Sequence, residues 1–434
     1  MHPSKPSYDS LMQHTRRHFL GTSALGLGAL AMRGIVGDAQ AATLPKGTHF
    51  PAKAKRVIYL FQAGGPSQLE TLDPKPLLRE KHTQPLPDSV RQGQRLTGMS
   101  GYQATLPLAG SFADFKKYGK SGVEYSDLLS HIGGVADDVC VIRSMHTEAI
   151  NHDPAITFFC SGNQVAGRPS MGAWASYGLG SMNENLPAFI VLVSQDSTKD
   201  QPLYSRLWGS GFLPSEHQGV QFKAGKEPVL YLTNPEGVSP HARRGMLDAL
   251  GKLNADQRAA ELDPEVDARL AQAEMAYRMQ TSVPEVADLS KESAETLAMY
   301  GESVKTPGSF AANCLQARRL IEKGVRFVQL FHQGWDQHGG LKAGHAEMAQ
   351  QVDQPIAGLI RDLKQRGLLE ETLIVWAGEF GRTPFAQGSD GRDHNPFGFS
   401  VWLAGGGIKG GTTYGATDDL GYHAVENVAT VYDL

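Results

Sequence analysis

Cysteine is scarce in this sequence: three among 434 residues, at positions 140, 160 and 314, with no CxxC spacing. That excludes a disulfide scaffold and a cysteine-ligated zinc knuckle. Cys140 and Cys160 sit in apolar surroundings and fit core positions. Positive charge is not in excess either. Lys and Arg total 41 against 45 Asp and Glu, a net charge of −4. With no Lys/Arg-rich run, no basic field recruits nucleic acid. The glycine-rich loop after the first strand-like run, Gly64-Gly65-Pro66-Ser67-Gln68, has neither the GxGxxG nor the GxxxxGK[ST] spacing, and a dinucleotide enzyme is set aside. Long hydrophobic runs are missing as well. The apolar stretch Gly21 to Met32 is too short and glycine-rich to form a stable transmembrane segment.

What remains is ordinary for a folded protein, with 41% hydrophobic and 20% charged residues. The length suits one large α/β domain or two smaller ones. Glycine is plentiful, at 49 residues, and much of it lies beside short apolar runs. That placement favours a loop-built site on a rigid sheet.

The first residues form an address. Thr15-Arg16-Arg17-His18-Phe19-Leu20 is a twin-arginine pattern, and Ala39-Gln40-Ala41 fits a signal-peptidase site. The expectation is a signal peptide over 1–41, a folded domain over 42–434, and a periplasmic or extracellular destination. The twin-arginine translocase is then a partner during export. A membrane anchor is the alternative. Because that route carries folded proteins, it suits a chain that takes up a cofactor before export.

Short β-branched and aromatic runs predict strands at Arg56 to Gln62, Val139 to Arg143, Ala188 to Val193, Val325 to Phe331, Thr372 to Ala377 and Phe399 to Leu403. Helical periodicity predicts helices starting near His152, at Gly172 to Leu179, at Ser309 to Lys323 and at His345 to Arg366. One or two long exposed helices are expected over Leu247 to Gln280. Alternation of the two types predicts a parallel or mixed sheet covered on both faces. Leu77 to Tyr125, broken by Pro and Gly, is expected to be a surface excursion. Asn427 to Leu434 reads as the start of an apolar helix, as if the domain were cut short there.

Chemistry-bearing residues gather after the late strands. His332, Asp336 and His338 fall in a Gly-flanked loop, and imidazole with carboxylate is a ligand set for zinc, manganese or iron. The same residues could brace a loop by hydrogen bonds. Glu379 stands between two glycines, as a ligand, as a general base, or simply paired with Arg382. His394 could be a further ligand with Asp393 behind it. Earlier, His152 opens a helix after Asn151. Helix starts favour anions, so His152 could act as base, acid or nucleophile, or stand by while Asp153 caps the helix. Asn151, Arg168 and Arg382 are the candidate anion contacts.

Several motifs together resemble a known family: the twin-arginine leader, Gly64-Gly65-Pro66-Ser67-Gln68 with Asp73-Pro74-Lys75, Arg168 to Trp174, Gly334 to His338, Gly378 to Pro384 and Gly391 to Asn395. The family consists of exported bacterial proteins. It is catalogued as a domain of unknown function and grouped with the alkaline phosphatase and sulfatase superfamily. The resemblance implies a three-layer α/β/α sandwich with a mostly parallel central sheet. It places His152 where sulfatases carry their nucleophile, although His152 is neither Cys, Ser nor Thr. It also places Ala63-Gly64-Gly65 where the superfamily has a metal-binding Asp, and Glu379-Phe380 where it has Asp-His. His394 fits a late lone histidine ligand. The expected protein is therefore an exported metal-dependent hydrolase of sulfate or phosphate esters, its substrate a small molecule or a polysaccharide. Its divalent metal would be zinc, manganese or calcium, held by His332, Asp336, His338 and His394, with His152 and Glu379 catalytic. The rival is a non-catalytic binding or scaffold protein on the same fold.

Overall fold

The β-branched and aromatic run Arg56–Gln62 becomes the central strand, β1, with its last five residues buried. The computed structural model describes residues 51–434 except 198–199, 226–227, 230–231 and 262–263. The expected signal peptide lies outside the described residues. The further strands of the large sheet and of the hairpin beside it are β2 (Val139–His146), β3 (Phe189–Val193), β4 (Val220–Phe222), β5 (Phe327–His332), β6 (Thr372–Ala377), β7 (Gly381–Gln387), β8 (Gly391–Asn395), β9 (Phe399–Gly405), β10 (Thr412–Tyr414) and β11 (Ala429–Thr430). The main helices are α1 (His152–Ser161), α2 (Met171–Leu179), α3 (Pro240–Glu261), α4 (Pro264–Ala287), α5 (Phe310–Glu322) and α6 (Leu341–Gln365).

The large sheet runs β10–β2–β9–β6–β1–β5–β3–β4, with β11 beside β2. All its pairings are parallel except those of β9, which opposes both neighbours. Side-chain alternation sends β1 into two cores. Ile58 and Leu60 join one with α5 and α6, while Tyr59 and Phe61 join another with Ile156 and Phe159 of α1. The sheet is thus a middle layer between helices, as expected. In α6 the stripe Met348, Val352, Ile356, Leu359, Ile360 and Leu363 lies wholly in the first core. Each such side chain contributes roughly 1.5–3 kcal/mol by leaving water. Ser309 caps α5, its side chain accepting from the Ala312 N–H.

Two expectations need correction, and one element was not expected. Leu77 to Tyr125 is more than an excursion: Leu78, Leu86 and Leu108 are buried and pack with Phe385, Leu420 and Tyr422. Gly381 to Asn395 forms the antiparallel hairpin β7–β8, separate from the large sheet. Asn427 to Leu434 does not begin a helix; β11 pairs there with Met145 and His146, and a turn follows.

Candidate metal centre

Five chain segments meet at the carboxyl ends of the parallel strands. β1 runs into Gly64, β5 into Asp336 and His338, β6 into Glu379, and β2 leads to His152 at the start of α1. β8 delivers His394 just before the opposed strand β9. One ligand atom each from His152, Asp336, His338 and His394 lies within 4.8 Å of the others, a group that could hold a metal ion.

Each imidazole is locked from behind. His152 Nδ1 meets Glu379 Oε1 at 2.7 Å, His338 Nδ1 meets Gln387 Oε1 at 2.6 Å, and His394 Nδ1 meets the Ile150 carbonyl at 2.7 Å. A carbonyl or carboxylate only accepts, so the Nδ1 atoms donate and a neutral ring leaves its Nε2 lone pair forward. All three Nε2 atoms then face one carboxylate. His152 and His338 lie 3.0 Å from Asp336 oxygens, and His394 lies 3.4 Å away. Lone pairs aimed at a carboxylate need a cation between them. A tetrahedral ion with arms of 2.0–2.1 Å sets its ligand atoms about 3.3 Å apart, close to the three distances to Asp336. The orienting acceptors are those that metal-bound histidines generally keep.

Charge around the group is uneven. Burial alone would raise the Asp336 carboxyl, but the adjoining His152, His338 and His394 imidazoles, with the Arg382 charge, hold it well below the carboxylate range. Burial also opposes charge on His152, yet its bonds to Asp336 and Glu379 prevail and raise it to about 9. At His394 burial prevails, and the ring falls to about 4. Without a metal, the cation between the two carboxylates is therefore a proton on His152.

The remaining expected residues are placed differently. His332 is the last residue of β5 and turns into the core against the Phe310 ring, away from the cluster; burial pushes it down to about 3. Glu379 is fully buried behind His152, where Oε1 also accepts from the Gly64 N–H at 2.8 Å. It does not pair with Arg382. Arg382 is fully buried too. It donates to the carbonyls of Gly64, Gly65, Trp335 and Arg392 and to Asp336 Oδ1 at 2.6 Å, so its guanidinium is spent on the protein itself. Asn151 and Arg168 are exposed, and among the described residues neither side chain bonds to the cluster. Asp393 accepts from Thr97 and from the His394 N–H rather than from its ring.

Sequence reasoning missed Gln387 and the Ile150 carbonyl. The signal for Gln387 was there: Gly388 to Gly391 is turn-like text, and a hairpin around it returns Gln387 beside Gly391. A backbone carbonyl leaves no trace in residue types.

The molecule is thus an α/β/α protein with a histidine–carboxylate cluster on the carboxyl edge of its sheet. The chain matches the family described as "Protein of unknown function (DUF1501)" over residues 54–434, and it belongs to that family. No curated protein sequence matches it. Among solved structures, alkaline phosphatase from the Antarctic bacterium TAB5 is similar at 10% identity and a TM-score of 0.35, covering 83% of this chain and 95% of that one. A protein in the alkaline phosphatase superfamily from Vibrio parahaemolyticus is similar at 10% identity and a TM-score of 0.36, covering 92% and 75%. The lipoteichoic acid synthase LtaP from Listeria monocytogenes gives 8% identity and a TM-score of 0.35, covering 89% and 73%. Superpositions this loose transfer no role to a residue of this chain.

Proposed function

We propose that the protein is an exported, metal-dependent hydrolase of sulfate or phosphate esters. One observation carries the reading: three imidazoles, each fixed through Nδ1, present Nε2 to the single carboxylate of Asp336. His152, Asp336, His338 and His394 would hold the ion. Three nitrogens and one oxygen suit zinc or manganese better than calcium, which takes six to eight oxygens. A divalent cation there supplies Lewis acidity, which polarises an ester oxygen. Glu379 orients His152, and Arg382 fixes Asp336. The twin-arginine pattern at Arg16 and Arg17 supports export to the periplasm or beyond. No helix among the described residues is long and apolar enough to cross a membrane.

A second reading has its own support. Four protein ligands saturate a tetrahedral ion, as in structural sites, whereas catalytic sites keep a position open. On that reading the protein is a binding or scaffold module. The deciding experiment is metal content by mass spectrometry, on the full chain folded in the cytoplasm and purified without chelator. About one equivalent, lost from a folded His338→Ala/His394→Ala variant, supports the centre. A screen of sulfate and phosphate esters then separates enzyme from scaffold. No metal in a well-folded parent overturns both readings of the centre.

A further inference from the structure

The turn of the β7–β8 hairpin and the start of α6 bound a cavity of about 880 Å³, closed on its other side by segments 82–83 and 107–112. None of the four cluster residues lines it. Its accessible surface is mostly apolar. Pro107, Ala109 and Phe112 contribute to it as half-buried side chains, and Ala343 and Ala346 as exposed ones. A preformed concavity with apolar walls and few polar groups is the usual form of a small-molecule site.

The lining carries no unbalanced charge. Glu70 and Arg392 are buried and spent on each other, with bonds of 2.7 and 3.1 Å. Lys342 and Asp390 are exposed and of opposite sign. His82 Nδ1 accepts from the Gly110 N–H at 3.2 Å, so that nitrogen bears no proton. A charged ligand would leave water here without a surplus of opposite charge to meet it. Phe112 is the one phenyl ring among the described lining residues, so the walls offer aliphatic packing rather than a stacking platform. Thr83, also in the lining, is held at φ +73° with its N–H bonded to the Leu108 carbonyl at 2.8 Å. A β-branched residue rarely adopts that conformation, and strain of this kind is kept at ligand clamps.

The cavity shares its wall with the metal centre. Gln387, the last residue of β7, accepts from His338 Nδ1, and the next four residues, Gly388 to Gly391, line the cavity. The Leu341 N–H donates to the Asp390 carbonyl at 3.1 Å, and the Arg392 N–H to the Gln337 carbonyl at 3.3 Å. Between those bonds Gly391 packs so closely that a Cβ would collide with the His338 carbonyl oxygen. We propose that the cavity binds an uncharged molecule with an aliphatic chain, and that the chain, seated between the hairpin turn and α6, strengthens metal binding at the cluster. The second half rests on the metal reading of the cluster. A ligand that favours the arrangement in which Gln387 meets His338 favours the metal, and by linkage the metal favours the ligand by the same factor.

The test uses the full chain, metal-loaded and metal-stripped, with the uncharged fluorophore N-phenyl-1-naphthylamine as probe. Its competitors are 1-octanol, octanoate and octylammonium. Octanol should displace the probe about tenfold more effectively than either ion. Ala343→Glu and Ala346→Glu each bring a carboxylate into the cavity from an exposed position of α6, where glutamate is a good helix former, so both variants should fold. Each should weaken octanol binding about tenfold. Chelator competition at saturating octanol should show metal affinity raised about fivefold. The site is overturned by absent displacement at millimolar octanol, or by equal octanol binding in parent and both variants. Preference for either ion overturns the ligand class. Octanol binding that is lost in the variants but leaves metal affinity unchanged overturns the coupling. A well-folded parent that takes up no metal sinks the metal reading and the coupling with it, while octanol binding lost in the variants still supports the cavity.

Discussion

Arg382 donates to Oδ1 of Asp336 across 2.6 Å, and it is the only fully buried cation against that carboxylate among the described residues. The same guanidinium closes on the carbonyls of Gly64, Gly65 and Trp335, which ties the end of β1 to the turn after β5. Arg382→Met should therefore cost on the order of 3–5 kcal/mol, the penalty for breaking a buried pair and stranding its partner. Urea unfolding of parent and variant measures it. If Arg382 served an anionic ligand instead, the variant would keep its stability and lose only ligand affinity.

Gly64 makes a second claim on the same junction. Its φ is +116°, and a Cβ there would stand 2.7 Å from the backbone nitrogens of both Trp335 and Asp336. Gly64→Ala should cost at least about 2 kcal/mol through strain and collision. It should also displace Asp336 and lower the metal stoichiometry. Urea unfolding together with metal analysis checks both effects. A variant with parent-like stability and metal content would show that the junction yields freely.

How much of this could be read from residues alone is clear from particular cases. β1 and β6 carry the predicted bounds because β-branched and aromatic side chains fill both faces of a parallel sheet, leaving a continuous apolar run. The α6 stripe was equally plain from its spacing. The β7–β8 hairpin was hidden because Arg382 and Arg392 are polar in text yet buried in fact, satisfied by carbonyls and by Glu70. Pro384 further disguised β7 as a loop. His332 was misjudged by one residue of strand length. β5 runs on through His332, so alternation turns that ring into the core, and the cluster residues begin only beyond the strand. Asp336, His338 and His394 were legible as ligand types. Their convergence with His152 depends on topology that spacing does not encode.

Gln387 gives the sharpest test of the metal centre, because it touches His338 and no other cluster member. Gln387→Leu removes the acceptor that fixes the ring tautomer and leaves the first ligands intact. Metal affinity should fall by about 10- to 100-fold, while stability shifts by no more than about 1 kcal/mol. Competition with a chromophoric chelator gives the affinity. An unchanged value would remove His338 from the ligand set.

His332 predicts a pH dependence that is independent of the metal. Both ring nitrogens are buried without partners, and the nearest carboxylate oxygen, on Asp196, is 4.0 Å away, too far for a hydrogen bond. Burial lowers the ring from 6.5 to about 3 in the folded state. Above the unfolded value both states are neutral there, so the group's contribution is complete. As pH falls below 6.5, the unfolded chain takes up the proton that the folded chain refuses. Stability from this residue should then drop by about 1.4 kcal/mol per pH unit until the folded value is reached. Other groups titrate over the same range, so the measurement is a difference. Denaturant unfolding of the parent and of His332→Phe at pH 7, 6 and 5 isolates it. Phenylalanine keeps the ring against Phe310 and has no proton to take up, so the variant should lose less stability at each step. Parallel pH profiles for the two proteins would mean that His332 finds a proton acceptor or a water in the folded state, and that its ring is not neutral by burial.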